Sequence, residues 1–173
     1  MAKEFFMKER AVSIHDPYHI YDAEGTEQYQ IKGKLLSIHD YTSLLDMNGT
    51  ELARIHKKIM SLHETHFIEI DGKILTEIRT EWFHPIHQKI DAPGLGWQIQ
   101  GNLMEHDFTV VDGDGNIHIT VHRKWISLGE GYQVVVEDDR EVVPALALMV
   151  ALERIMTDRR TRPSSTVSST SED

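Results

Sequence analysis

A short pattern that recurs every 24 residues constrains the fold of this chain more than any other feature. A serine, an aliphatic residue, a histidine and an acidic residue follow one another at 13–16, 37–40 and 61–64. Nine or ten residues after each copy begins, an aspartate starts a turn signal that contains glycine, at Asp22, Asp46 and Asp71. Apolar and polar residues alternate on both sides of these turns, which is typical of β-strands with one buried face. Each repeat therefore predicts two strands joined by a hairpin.

The rest of the chain keeps this rhythm. A fourth copy of the pattern appears at Lys124-Trp-Ile-Ser127 and continues to Glu130. Residues also alternate on both sides of the turn Asp112-Gly-Asp-Gly115, which predicts a hairpin from Phe108 to His122. Six such units predict a mainly β fold, a meander of about 12 antiparallel strands.

One segment near the C-terminus does not alternate. The longest uncharged apolar run is Val142–Leu152, and Pro144 follows several carboxylates, which indicates a helix over about 142–157. A helix that is apolar on every side must be buried all round, and this one is too short to cross a bilayer. A 12-stranded barrel is too wide for its own side chains to fill. We therefore expect a closed antiparallel β-barrel that encloses a hydrophobic C-terminal α-helix.

Composition sets the domain boundaries and the partner classes. We expect one domain over residues 1–157 and a disordered Ser/Thr-rich tail over 158–173. Asp and Glu outnumber Lys and Arg by 28 to 18, which gives a formal net charge of −10 and predicts no nucleic-acid partner. The first ten residues do not resemble a signal peptide, and the apolar runs are too short for a membrane span. These features predict a cytoplasmic protein with no transmembrane segment.

Three motifs that resemble catalytic or metal sites have simpler structural interpretations. The repeated Ser-x-His-Asp cannot form a catalytic triad on an extended chain, so we interpret it as a turn. Histidine pairs such as His118 and His122 have ligand-like spacing, but on a strand they lie roughly 13 Å apart, which predicts solvent-facing histidines. The calcium-like segment Asp112–Asn116 lacks the later ligands and predicts a hairpin turn. The chain has no cysteine, and we assign no catalytic residue, metal or cofactor.

The cationic residues supply the candidate binding site. Lys57 and Lys58 precede Ser61 as Arg123 and Lys124 precede Ser127, so the repeat places both pairs near one rim of the barrel. We predict that Lys57, Lys58, Arg123 and Lys124 bind a ligand, because clustered cations attract anionic head groups despite a negative total charge. The alternative interpretation is that these side chains only keep the strands from aggregating.

The chain resembles the LURP-one-related family of the tubby C-terminal-like superfamily, over about residues 3–157. The resemblance is carried by the repeated Lys-x-x-Ser-Ile/Leu-x-acidic pattern, by Gly96–Gly101, by Lys124–Ser127 and by the apolar helix. It implies a 12-stranded barrel around a central helix, and it supplies no catalytic residues. Relatives within the superfamily include tubby proteins, which bind phosphoinositides, and phospholipid scramblases.

These observations predict a non-enzymatic binding or scaffold domain. Its ligand would be an anionic lipid head group, such as a phosphoinositide, or a protein partner held at the basic rim. Two alternatives stay open, a hydrolase or isomerase with a His/carboxylate surface site and a purely structural, oligomeric protein. The sequence does not determine the oligomeric state.

Overall fold

The computed structural model of the chain describes residues 1–8, 18–33, 41–60, 63–79, 89–126 and 129–161, and these contain twelve β-strands and one long α-helix. The strands are β1 (Lys3–Lys8), β2 (Tyr18–Asp22), β3 (Glu27–Lys32), β4 (Thr42–Asp46), β5 (Glu51–Met60), β6 (His63–Ile70), β7 (Lys73–Arg79), β8 (Lys89–Ala92), β9 (Trp97–Asn102), β10 (Asp107–Asp112), β11 (Ile117–Ile126) and β12 (Gly129–Val136). The helix α1 comprises Val142–Thr161.

All twelve strands belong to one sheet, in the order β7-β6-β5-β4-β3-β2-β1-β12-β11-β10-β9-β8. Neighbours in this order pair antiparallel. Each strand except β7 pairs with the next one in the chain, and β1 also pairs with β12. This confirms the predicted mainly β meander. Twelve strands at about 4.8 Å spacing and a tilt of about 40° give a barrel roughly 24 Å in diameter.

Three hairpin turns lie at one end of the barrel, which we call the turn end, and share one hydrogen-bond pattern. In each, the Oδ1 atom of Asp22, Asp46 or Asp112 accepts backbone N–H groups two and four residues ahead, at 2.8–3.0 Å. A glycine with positive φ completes each turn, as Gly49 does at φ 86°. The calcium-like Asp112–Asn116 segment is one of these turns, as predicted. The Ser-x-His-acid segments at 13–16 and 37–40 lie outside the described residues.

The helix α1 lies inside the barrel. Each residue of Ala145–Leu152 is at most 1% exposed, and these side chains share one core cluster with inward-facing strand residues such as Ile55 and Ile119. The enclosed hydrophobic helix is therefore confirmed. It begins at Val142, as predicted, and continues past the expected end at Thr157 to Thr161. Residues 162–173 lie outside the described part of the chain, so their disorder stays a prediction.

The predicted barrel is confirmed, and it is nearly closed: β7 and β8, the two edge strands of the sheet, meet at a seam. These two strands flank the seam, but no pairing between them is found in the described residues. A 3-10 turn at Pro93–Leu95 packs on β7 instead, where the Gly94 N–H donates to Thr76 Oγ1 at 3.3 Å. A Cβ atom on Gly94 would lie 1.9 Å from the carbonyl oxygen of Leu75. The close contact between the Pro93–Leu95 turn and β7 at the seam therefore requires glycine at position 94.

We expect Leu148→Asp to lower the free energy of unfolding by about 4 kcal/mol or more, because it would place an unpaired carboxylate in the barrel centre. Urea denaturation, with solubility as a second measure, tests this. The matched control is Ile74→Asp, since Ile74 is 60% exposed and surface changes usually stay within about 0.5 kcal/mol. A Leu148→Asp protein that melts like the wild type would contradict the enclosed helix.

Gly94→Ala is expected to destabilise the protein by about 1–3 kcal/mol, because the added methyl group collides with backbone atoms of β7. Gly113→Ala is the control, since nothing lies within 4 Å of its Cβ position. That variant should stay within about 0.5 kcal/mol of the wild type. Equal urea midpoints for the two variants would show that the seam does not need close backbone contact.

Candidate functional site

Among the described residues, acidic side chains predominate at one end of the barrel and cationic side chains at the other, with exceptions such as Arg140 at the first end and Asp107 at the second. Acidic side chains occupy the turns and the segment that leads into α1 at the turn end: Asp22, Glu24, Asp46, Asp71, Asp112, Asp114, Asp138, Asp139 and Glu141. Cationic side chains lie toward the other end, which we call the basic end: Lys8, Lys32, Lys57, Lys58, Arg79, Arg123 and Lys124. The odd-numbered strands β1, β3, β5, β7 and β11 finish at the basic end, and they supply all of these cations. The fold therefore separates charges that are mixed along the sequence.

The four predicted ligand-binding residues all lie at the basic end, but in two separate places. Lys57 and Lys58 belong to β5, and Arg123 and Lys124 belong to β11. These strands are six positions apart in the order of twelve, so the two pairs lie on opposite sides of the barrel. The structure brings Lys57 next to Lys58 and Arg123 next to Lys124, but it does not bring all four together.

Alternation along each strand separates the members of each pair. Ile55 and Val121 face the core, so Lys57 and Arg123 share the inner face, and Lys58 and Lys124 lie on the outer face. The Lys124 Nζ atom lies 3.3 Å from Gln133 Oε1 and 5.7 Å from the centre of the Phe6 ring. Lys58 and Lys124 are both exposed, so an anion outside the barrel can reach them.

A buried polar cluster below the basic end was missed by the sequence analysis. The His106 Nε2 atom lies 2.6 Å from Glu153 Oε1 on α1, and the His106 ring stacks on Tyr132 with centroids 4.3 Å apart. Burial raises the pKa of the Tyr132 hydroxyl well above its ordinary value, and the Glu153 charge adds to the effect. His106 has a positive φ of 53°, at the end of the 3-10 turn Leu103–Glu105. This cluster ties α1 to the β9–β10 connection and to β12.

Arg154 corrects the prediction that the helix is apolar on every side. Its side chain is fully buried, and Nη1 donates to Thr42 Oγ1 at 3.1 Å and to the Ile55 carbonyl at 3.3 Å. A buried guanidinium is costly unless acceptors surround it, and β4 and β5 supply them. In the sequence, the charged residues Glu153 and Arg154 directly follow the apolar run, and they were the available signal that the helix carries buried polar groups.

The predicted solvent-facing histidines are only partly observed. His122 is 57% exposed and pairs with Asp107, but His66 is buried, so the prediction is wrong for His66. His106, which belongs to none of the predicted pairs, is buried as well. His19 and His56 are half-buried. His19 Nδ1 lies 3.1 Å from Glu27 Oε2, and His56 Nε2 lies 3.6 Å from Glu69 Oε2. Of the other predicted ligand-like positions, residues 15, 84 and 87 and the side chain at 63 lie outside the described part of the chain. Histidines on this fold mostly join a strand to a neighbouring carboxylate.

His118 connects the barrel wall to the segment that leads into the helix. Its Nδ1 atom lies 2.8 Å from Glu141 Oε2, and its Nε2 atom lies 3.3 Å from Asp112 Oδ2. Burial alone would lower the pKa of His118, but the two carboxylates outweigh burial and raise it. Hydrogen bonds from Asn116, with a smaller contribution from His118, lower the pKa of Asp112 to about 2. His118 therefore connects β11 to the β10–β11 turn and to the start of α1, and the two carboxylates favour its protonated form.

The described residues form no other polar site with evident chemistry. Among them, no group of three His, Asp or Glu side chains could hold a metal ion. A surface cleft of about 480 Å³ lies at the turn end, between Lys3, Asp22 and Tyr29, and no histidine lines it. No helix in the described part of the chain is long and apolar enough to cross a membrane.

The His118 bridge predicts a specific pH dependence of stability. Because folding raises the pKa of His118 above 6.5, its contribution is complete below that pH and is lost as the pH rises through the folded-state pKa. His118→Gln should therefore lower Tm at pH 6 more than at pH 8.5. Thermal melts across this pH range test the prediction. His122→Gln is the control, because His122 lies on the same strand and forms a solvent-exposed pair with Asp107. A His118→Gln effect that is equal at both pH values would contradict the bridge.

Comparison with known proteins agrees with this architecture. Residues 3–153 match the family model described as LURP-one-related. The chain is 31% identical over 153 residues to the uncharacterized protein YxjI of Bacillus subtilis (strain 168), an alignment that covers 88% of this chain and 93% of YxjI. The X-ray structure of a protein from Arabidopsis thaliana superposes with a TM-score of 0.58 at 16% identity, over 92% of this chain and 91% of that one, and it shows the same fold. By its sequence, the chain belongs to the LURP-one-related family.

Proposed function

We propose that this protein is a non-enzymatic binding domain whose basic end recognises an anionic lipid head group, such as a phosphoinositide. The observation that carries the proposal is the separation of charge between the two ends of the barrel. A negative ligand is repelled by the turn end and attracted by the basic end, so the field of the protein orients the encounter. The residues assigned to binding are Lys57, Lys58, Arg123 and Lys124.

The filled interior supports a ligand site on the outside. Among the described residues, helix and strand side chains pack together in the barrel centre, which favours a ligand site on the outer surface. Exposed cations on the strands, such as Lys58 and Lys124, remain accessible. A cytoplasmic location is part of the proposal, since the cytoplasmic leaflet carries the anionic lipids. The resemblance to the tubby C-terminal-like superfamily, whose tubby members bind phosphoinositides, points to the same ligand class.

Three other functions make different demands on the same molecule. An acidic protein partner would use the same basic end. A hydrolase or isomerase would need a His–carboxylate pair that a substrate can reach. His118 has both ring nitrogens engaged and His106 is buried, so the exposed pair of His122 and Asp107 is the one that such a function would use. A purely structural role would require self-association, which analytical ultracentrifugation measures directly.

Sedimentation with anionic vesicles tests the proposal. Replacing Lys57, Lys58, Arg123 and Lys124 by alanine should weaken binding by up to about 4 kcal/mol, since each cation near an anionic surface contributes about 1 kcal/mol. The control variant carries Lys3→Ala and Lys73→Ala, which remove two exposed cations from the turn end. Vesicle binding that the four alanines leave unchanged would contradict the assignment.

A further inference from the structure

We infer that the basic end docks on a flat anionic bilayer through two separate hairpins, and does not enclose a single head group. The first hairpin consists of β5 and β6, and the second consists of β11 and β12. The inference rests on the proposed function and specifies its partner as a membrane surface. It follows from a sequence repeat, from the strand register and from the distance between the hairpins.

The two hairpins share one sequence pattern. His56-Lys-Lys-Ile-Met60 is followed by Ser61-Leu62, and His122-Arg-Lys-Trp-Ile126 is followed by Ser127-Leu128. Each copy is thus a histidine, two cations, two apolar residues, a serine and a leucine. Both copies end strands of ten residues, the longest strands that the structure describes. The same sequence of basic and apolar residues therefore occurs at the ends of two strands.

Among the described residues, both strand ends continue past the last residue that pairs with one neighbouring strand. Pairing of β5 with β4 stops at Ile55, and pairing of β11 with β10 stops at Val121, within the described residues. Trp125 lies four residues further on, roughly 13 Å along the strand. Its side chain is 79% exposed. An exposed tryptophan beside cations is typical of surfaces that enter the interface of a membrane.

The register places a second cation beside each hairpin. Across β5, β6 and β7, Lys58 is level with Thr65, and Thr65 is level with Arg79. The same arrangement recurs across β11, β12 and β1, where Gly131 is level with both Lys124 and Lys8. In each row, two cations lie on either side of a central strand that carries a small residue. The two strands that carry the cations are about 10 Å apart. Arg79 also bonds Glu77 at 2.8 Å, so its charge is partly shared.

The distance between the rows decides which ligand can use both. The central strands β6 and β12 are six positions apart in the order of twelve, so the rows lie on opposite sides of a barrel roughly 24 Å wide. One head group cannot span that distance, whereas a bilayer presents anionic groups to both rows at once. Two weak contacts on one surface combine into a stronger one, because the second forms at high effective concentration. The acidic turn end then faces away from the membrane.

Paired double variants of the full chain test this geometry. The first carries Lys58→Gln and Arg79→Gln, and the second carries Lys8→Gln and Lys124→Gln. Each should weaken sedimentation with phosphatidylserine-containing phosphatidylcholine vesicles by roughly tenfold or more, and the quadruple variant should lose the product of the two effects. Lys3→Gln with Lys73→Gln, at the turn end, should bind like the wild type. Unchanged thermal melts confirm that the variants are folded.

Fluorescence provides an independent readout of orientation. Trp125 emission should shift to the blue when anionic vesicles are added, and Trp125→Phe should remove the shift. Soluble glycerophosphoserine should compete poorly, because it cannot contact both hairpins at once.

Other outcomes would contradict either the two-hairpin docking or the proposed lipid binding. If one double variant abolishes vesicle binding and the other leaves it intact, the site is a single head-group pocket, and only this inference is wrong. If Trp125 emission does not change on binding, the hairpins do not enter the interface. If the wild type binds polyglutamate but not anionic vesicles, the partner is an acidic protein. If it binds neither, the proposed function fails together with this inference.

Discussion

The burial of one apolar helix inside twelve strands is the interaction on which the rest of the structure depends. A barrel of this width cannot fill its centre with its own side chains, and the helix cannot stay in water. Each fully buried Leu or Met contributes about 1.5–3 kcal/mol by leaving water, and Leu146, Leu148 and Met149 are all fully buried. The side chains of this helix and of the inward-facing strand residues form one core cluster in the described part of the chain. Function is therefore left to the ends and the outer surface.

The helix direction and the strand order together separate the charges. Acidic residues such as Asp138, Asp139 and Glu141 lie at the helix N-terminus, where the helix dipole favours negative charge. The tight hairpin turns, which require aspartate, lie at the same end. Seven of the described lysines and arginines lie near the other ends of the odd-numbered strands, whereas Lys3, Lys73 and Arg140 lie at the turn end. A chain with a formal charge of −10 thus presents one basic end, and this is the basis of the proposed membrane function.

Features that depend on local pattern were predictable, and features that depend on packing were not. Alternation and Asp-Gly turns indicated the strands, and the uninterrupted apolar run indicated the helix from Val142. The requirement for glycine at position 94 was not foreseen, because it arises only from the tertiary contact between Gly94 and the Leu75 backbone. The burial of His66 and Arg154 was also missed, since polar residues are buried only where tertiary neighbours such as Thr42 supply acceptors. The equivalence of Lys57–Lys58 and Arg123–Lys124 was visible as a repeat, but their separation was not.

The sequence by itself determined the number of strands, the hairpin turns and the enclosure of the helix, because each follows from periodicity or from the chemistry of a few adjacent residues. Only the tertiary structure decided which distant residues meet. It joined β1 to β12, paired His106 with Glu153, and placed the two basic hairpins on opposite sides of the barrel. The reason is physical: alternation specifies which face of a strand is buried, whereas the order of strands around a closed sheet decides which side chains are neighbours.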